Sequence, residues 1–276
     1  MQLYFFCPRW GSEAFDWDEF LTKVRRAGYE GVEWAISSTI SKRELDTIWD
    51  KIQRYGLLLI GQHYDTYESD YSRHSEAYHA WFEKVKPYPF LRINSQTGKD
   101  YFTEDQNRSL INLVAKFSEQ CGIPVFHETH RNKFSFAAHI TRQYLEAIKD
   151  LRITLDASHW VNVAESWLED QQEALDLAIL RTSHIHARVG YPEGPQVPDP
   201  LAPEWESALE AHLNWWGRVV KCRINENNPL LTITPEFGPY PYLIEFPVTR
   251  QPLADQWDIN VWMMRFMRER YMKLLQ

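Results

Sequence analysis

Eight short apolar runs, each followed by a stretch with helical spacing, recur from one end of the sequence to the other. The strand-like runs lie at residues 3–7, 31–34, 57–63, 90–94, 123–128, 153–156, 183–187 and 230–236. Between and after them, helical patterns occupy 15–27, 41–55, 75–85, 104–120, 136–150, 163–180, 204–223 and 255–275. In the fourth of these, Leu110, Leu113, Val114 and Phe117 recur at three and four, which puts them on one face. Ser41, with Glu44 three residues on, is placed to cap the second helix, and Gly56 and Gly122 supply stops. A strand returning after each helix pairs parallel with its predecessor through a right-handed crossover.

Two sheets can be built that way, an open doubly wound one and a closed barrel. The open form usually carries a glycine-rich phosphate loop after its first strand, and here that position reads Pro8-Arg9-Trp10-Gly11. The expectation is therefore an α/β protein, a single (β/α)8 TIM barrel over residues 1–276. The length suits one barrel of about 250 residues with no linker to divide it. A composition of 44% hydrophobic and 14% aromatic residues is ample for its core. Two segments rich in proline, 189–203 and 237–252, read as long irregular loops.

The chain turns polar in a regular way where these strands end. IPVFHETH delivers Glu128, ITLD delivers Asp156, SHIHA carries His184 and His186, and LTITPE ends in Glu236. Barrel enzymes work at the carboxyl ends of their strands, so four consecutive strands would bring Glu128, Asp156, His186 and Glu236 to one rim. Three carboxylates and an imidazole suit an octahedral divalent ion, Mn, Mg or Co, with two positions left for substrate oxygens; Zn is the weaker fit. Taken singly, an acid after a strand is more often a helix N-cap than a ligand. His184 and His186 share a side of their strand, which suggests one ligand and one residue holding it in place.

FHETH, LDASH, HIHA and TPEFG together resemble the metal site of the xylose-isomerase-like TIM barrels, the group of sugar and sugar-phosphate isomerases and epimerases. The resemblance implies a metal-dependent isomerase or epimerase. Glu128 and Glu236 would be both ligands and the acid/base pair that moves a proton through an enediolate, and His159 would bind substrate oxygens. Two positions depart from the pattern of the ketose 3-epimerases in this group. Their arginine six residues after the metal histidine is replaced by Pro192, leaving Arg188 as the substitute, and their glutamate six after the first metal glutamate is replaced by Phe134.

Further substrate-binding candidates are His63 at the end of the third strand, His130 beside Glu128, Lys133 as a phosphate or carboxylate contact, and Trp160, Trp34 and Tyr64 as apolar walls. Trp215 and Trp216 fall inside a helix and read as core, and His127 alternates away from Glu128. A stripe in the last helix, Ile259, Trp262, Met263, Phe266 and Met267, reads as core or as a homodimer contact. A net charge of −8 argues against nucleic acid as a partner. The expected partner is a small carbohydrate. Three scattered cysteines and the absence of a signal-like or spanning apolar run suggest a cytoplasmic protein with no membrane contact. Two other functions fit the same residues: a metal-dependent lyase or dehydratase on a keto-sugar, and a barrel that binds sugar without turning it over.

Overall fold

Each of the eight apolar runs is a strand in the computed structural model, which describes residues 1–275. They are β1 (Gln2–Pro8), β2 (Gly31–Ala35), β3 (Leu58–His63), β4 (Arg92–Ser95), β5 (Val125–Glu128), β6 (Ile153–Leu155), β7 (Thr182–His186) and β8 (Leu230–Thr234). All neighbours pair parallel, and β1 closes on β8, with Gln2 opposite Leu230 and Phe5 opposite Ile233. The expected (β/α)8 barrel is therefore the observed fold.

The helices form the outer layer, and their ends follow the local chemistry. Helix α1 (Trp17–Ala27) begins where the Asp16 carboxylate accepts from the Glu19 amide, and it ends at Gly28, whose φ of 96° an L side chain rarely adopts. Helix α2 (Lys42–Arg54) starts at Ser41 as expected, its hydroxyl accepting from Glu44 N. Helices α3 (Tyr71–Val85) and α4 (Glu104–Cys121) follow, the latter opened by a reciprocal Thr103–Gln106 capping box. Next comes α5 (Ala138–Ala147).

One helical expectation changes. In place of one helix over 163–180 the chain forms α6 (Ala157–Ala164) directly off β6, then α7 (Gln172–Arg181). Between them Glu165 and Leu168 take left-handed backbone conformations, φ 49° and 60°, that interrupt the hydrogen-bond ladder. Helix α8 (Glu206–Asn225), entered through a short 3-10 turn at Pro203–Trp205, and α9 (Gln256–Met272) complete the layer.

The strand faces that meet the helices carry the main apolar core, for example Phe5, Leu59, Ile93, Ile185 and Ile233. Trp215, Trp216, Ile259, Met263 and Met267 belong to it, so the apolar face of the last helix packs inward. The alternate residues point into the barrel, and there the interior is polar. Arg92 donates to Ser183 O at 2.8 Å and Thr232 Oγ1 at 2.9 Å, and its guanidinium lies over Phe126. Above it sit Glu33, His184 and Thr234. Runs such as HIH and TIT thus alternate because one face is core and the other is the floor of a site. No helix of the described residues is long and apolar enough to cross a membrane.

Candidate active site

Glu128 is the last residue of β5 and His186 the last of β7, while Glu236 lies two residues beyond β8. Asp156 follows β6 and is the N-cap of α6, its Oδ1 accepting from Ser158 N at 3.0 Å. It is an N-cap and a member of the cluster at once, because Oδ1 serves the cap while Oδ2 faces the cluster, where the Arg188 guanidinium meets it. All four residues are buried, and one potential ligand atom from each lies within 4.8 Å of the others. Ligands about 2.1 Å from a common ion are separated by roughly 3 to 4.2 Å in an octahedron, so the cluster lies near that spacing and small side-chain adjustments would close it on an ion.

His186 provides the sharper test of fit. Its Nδ1 lies 2.8 Å from Glu236 Oε2 and 3.4 Å from Glu128 Oε1. It is nevertheless buried without an aligned hydrogen bond to either. A ring nitrogen aimed between two carboxylates in this way is placed for a shared cation. Burial works against charge on His186, but Glu236, Glu33 and Glu128 outweigh it and hold its pKa well above the usual range. The carboxylates favour positive charge at that nitrogen, a demand that a divalent cation also answers. Burial raises the Glu128 carboxyl, yet His186 and Asn94 bring it down to about 2. Burial with Glu128 as neighbour keeps Glu236 raised against the pull of His186.

The other ring nitrogen, His186 Nε2, is 2.9 Å from Glu33 Oε1. Glu33 also meets His184 Nε2 at 3.0 Å and accepts from the Thr234 hydroxyl. Carboxylates in this relation to a histidine fix the ring and its tautomer. Amides hold the acids in turn: Gln62 donates to Glu236 Oε1 at 3.3 Å, and Asn94 and Gln96 donate to Glu128 Oε2 at 3.0 and 3.2 Å. Each glutamate therefore keeps one oxygen on an amide and one toward the centre.

Arg188 lies in the same cluster. Its guanidinium meets Asp156 Oδ2 at 2.5 Å and His159 Nε2 at 2.7 Å, and lies 4.6 Å from the Tyr242 ring centroid. His159 therefore accepts at Nε2, which makes it a neutral imidazole with its proton on Nδ1, and burial drives its pKa well down. The ring of His130 packs 4.0 Å from it, and burial lowers His130 to about 4 although Glu128 pulls the other way. Glu128, His130 and His159 also offer atoms within 4.8 Å of one another.

Above the cluster opens a cavity of about 870 Å³, lined by Glu128, Glu236, His130, Arg188 and Lys133 on one side and by Trp10, Trp17, Trp34, Ile48 and Tyr64 on the other. Three of the substrate-binding candidates from the sequence lie outside it, one of them His159, fully buried behind Arg188. His63 turns into the core, where Nε2 meets Thr66 Oγ1 at 2.7 Å and the ring packs on Tyr78, Trp81 and Phe82. Trp160 is buried and donates to Ser135 O, so it braces the β5 loop. His127 points away from the cavity to Thr97 Oγ1 at 2.7 Å.

Sequence reasoning passed over Glu33, Gln62, Asn94, Gln96, Lys99 and Tyr242. Glu33 had a signal, since it is an acid inside the short apolar run GVEW. The amides had none, and Tyr242 reaches the site from a loop whose proline content says nothing of where it folds.

No family model matches the chain, and no curated protein matches it in sequence. Solved structures do match. A D-allulose 3-epimerase from Methylomonas sp. aligns with a TM-score of 0.62 at 14% identity, covering 98% of both chains. The probable 3-DHS dehydratase AsbF from Bacillus anthracis aligns at 0.55 and 15% identity, covering 96% of this chain and 98% of that one. Endonuclease IV from Thermus thermophilus aligns at 0.54 and 12%, covering 98% of each. The likeness shows the fold, a (β/α)8 barrel in common with these proteins.

Proposed function

We propose that the chain is a metal-dependent isomerase or epimerase of a small sugar or sugar-derived ketone, with Glu128 and Glu236 moving a proton on the carbon beside a carbonyl. One observation carries this reading: those two carboxylates converge with Asp156 and His186, within 4.8 Å, at the floor of a cavity that a small polyol can enter. A divalent cation held by the four residues supplies Lewis-acid polarisation of a carbonyl and its neighbouring hydroxyl, which acidifies the C–H bond between them.

The protein's own groups do the rest. Glu128 and Glu236 flank His186 Nδ1, so a substrate lying over it meets one carboxylate on either side. One carboxylate takes the proton, and the other, protonated, donates its own to the opposite face; in an isomerisation the first gives its proton to the adjacent carbon. Gln62, Asn94 and Gln96 restrain both carboxylates, so little reorientation accompanies the transfer. Arg188 and His130, which line the cavity, are placed to bind substrate oxygens, His159 braces Arg188 from behind, and Trp34, Tyr64 and Tyr242 keep water from the reacting carbon.

The test is solvent-deuterium incorporation into a panel of ketoses and keto-acids, with Mn-loaded and chelator-stripped protein. Incorporation that needs the metal is expected. Incorporation undiminished by stripping, or none with any member of the panel, overturns the proposal.

A second reading keeps the same proton removal but lets the carbanion expel a β-hydroxyl, as a lyase or dehydratase does. The His130–His159 pair beside Glu128 favours it by offering a proton route to the departing group. Products separate the two, since elimination leaves an unsaturated or dicarbonyl compound. The nucleic-acid chemistry of the endonuclease IV match has less support: the rim of β3 and β4 presents the amides Gln62, Asn94 and Gln96 where further ligands would be needed, and the chain is acidic.

A further inference from the structure

Arginines that line the cavity have protein partners. Arg188 holds Asp156, Arg9 donates to Ser12 O and Phe15 O, and Arg131 donates to Asn162 and Tyr242. Lys99 and Lys133 differ. Both line the cavity and are only 5% and 4% exposed. Among the described residues neither ammonium has a carboxylate within 4.0 Å or any hydrogen-bond acceptor, whereas their backbones are firmly tied.

The loop after β4 holds Lys99 by two bonds with the Asn107 side chain, Lys99 N to Oδ1 at 3.3 Å and Nδ2 to Lys99 O at 3.0 Å. Gly98 just before it has φ 63°, and a Cβ there would collide with Asn107. The loop after β5 holds Lys133 through His130 O and Phe136 N. The loops are stitched together by Phe134 N to Thr97 O at 3.2 Å. Two like charges are thus held in one wall of a pocket with no carboxylate in direct contact, although Asp100, Glu68, Glu128 and Asp65 are near enough for their fields to be felt. Burial, and then Lys99, brings Lys133 down to about 8. Such an arrangement costs stability in the free protein, and it is answered by an oxyanion.

We infer that Lys99 and Lys133 form an oxyanion subsite, and that the molecule accepted by this cavity is an acidic polyol or keto-sugar bearing a carboxylate or a phosphate. This rests on the reading of the cavity as a substrate site and narrows its substrate class. The field of Glu128 reaches Lys133, so the subsite lies on the β4–β5 side of the carboxylate cluster. The acidic group would be held there while the reacting carbon lies between Glu128 and Glu236.

Three probes with the same six-carbon chain test it by calorimetry and thermal shift, needing no turnover: D-glucitol, D-gluconate and D-glucitol 6-phosphate. At least one of the anionic probes is expected to bind ten-fold or more tightly than glucitol, and which one does identifies the group. In Lys133→Met and in Lys99→Met/Lys133→Met that preference falls to near unity, while the melting temperature without ligand holds or rises because an unpartnered ammonium is gone. Equal binding of the three probes, no binding of any, a preference that survives the double substitution, or a sharp drop in melting temperature overturns the inference. Repeating the titration on chelated protein keeps this outcome separate from that of the deuterium experiment, which tests the proton transfer alone.

Discussion

The rim of the barrel is divided between two unlike halves. From β5 to β8 the strand ends carry ionisable groups, Glu128, Asp156, His186 and Glu236, with Arg188 among them. From β1 to β4 they carry amides and aromatic rings: Gln62, Asn94 and Gln96 on the carboxylates, and Trp10, Trp17 and Trp34 along the cavity wall. The first half holds the groups proposed to exchange protons and to bind a cation. The second restrains them and shapes the space above. The two are tied by direct hydrogen bonds, so a change in the second half reaches the first through the oxygens and ring nitrogens it holds.

The division is most strongly tested at Glu236. Exchanging it for glutamine keeps the volume and the contact from Gln62 but removes the proton acceptor and one anionic ligand. Glu236→Gln is expected to lower metal-dependent deuterium exchange by at least ~10³-fold with the melting temperature within a few degrees. A variant that keeps a tenth of the exchange would place the base elsewhere.

This division also explains how far the sequence could be read. Glu128, Asp156, His186 and Glu236 stood out because acids and histidines have few reasons to end a buried strand, and they did so on four consecutive strands. Gln62, Asn94 and Gln96 have many reasons to lie near strand ends, so their role depends on which oxygen they meet in three dimensions. His63 shows the converse. It ends a strand as His186 does, but the backbone turns it toward Tyr78, Trp81 and Phe82, and nothing in LLLIGQH encodes that turn. The split helix over 163–180 was hidden for another reason, since helical spacing continues across Glu165 and Leu168 and only their positive φ interrupts it.

Glu33 crosses the division and offers a smaller, sharper test. It sits in the aromatic half but acts on the ionic one, through His184, His186 and Thr234. Glu33→Gln leaves all four proposed ligands in place and weakens the restraint on the His186 ring. Metal affinity measured by competition with a fluorescent chelator is expected to fall by about 10- to 100-fold, the usual range for such partners. Exchange at saturating metal should recover most of the wild-type rate. Unchanged affinity would mean that β7 and β8 alone fix the ring.

The smallest effect lies in pH, on the β4–β5 border between the halves. Lys133 has a pKa brought down by burial and by Lys99 to about 8, against pulls in the other direction from Glu128, Asp100 and Asp65; His63 also feels its charge. In the unfolded chain the same lysine titrates near 10.5. Between those values the unfolded state binds more protons, so the stability of the ligand-free protein rises with pH across that window, and Lys133→Met should abolish this contribution. Anion binding has the opposite sign because it favours the ammonium. Affinity for the preferred anionic probe is complete below about pH 8 and falls as pH rises through it, by at most about ten-fold per unit. Near pH 8 binding therefore takes up protons, and the calorimetric enthalpy of that probe should depend on the ionisation enthalpy of the buffer. Glucitol, which carries no charge, should show no such dependence. If it does, the proton is taken up elsewhere in the site and the border assigned to Lys133 must move.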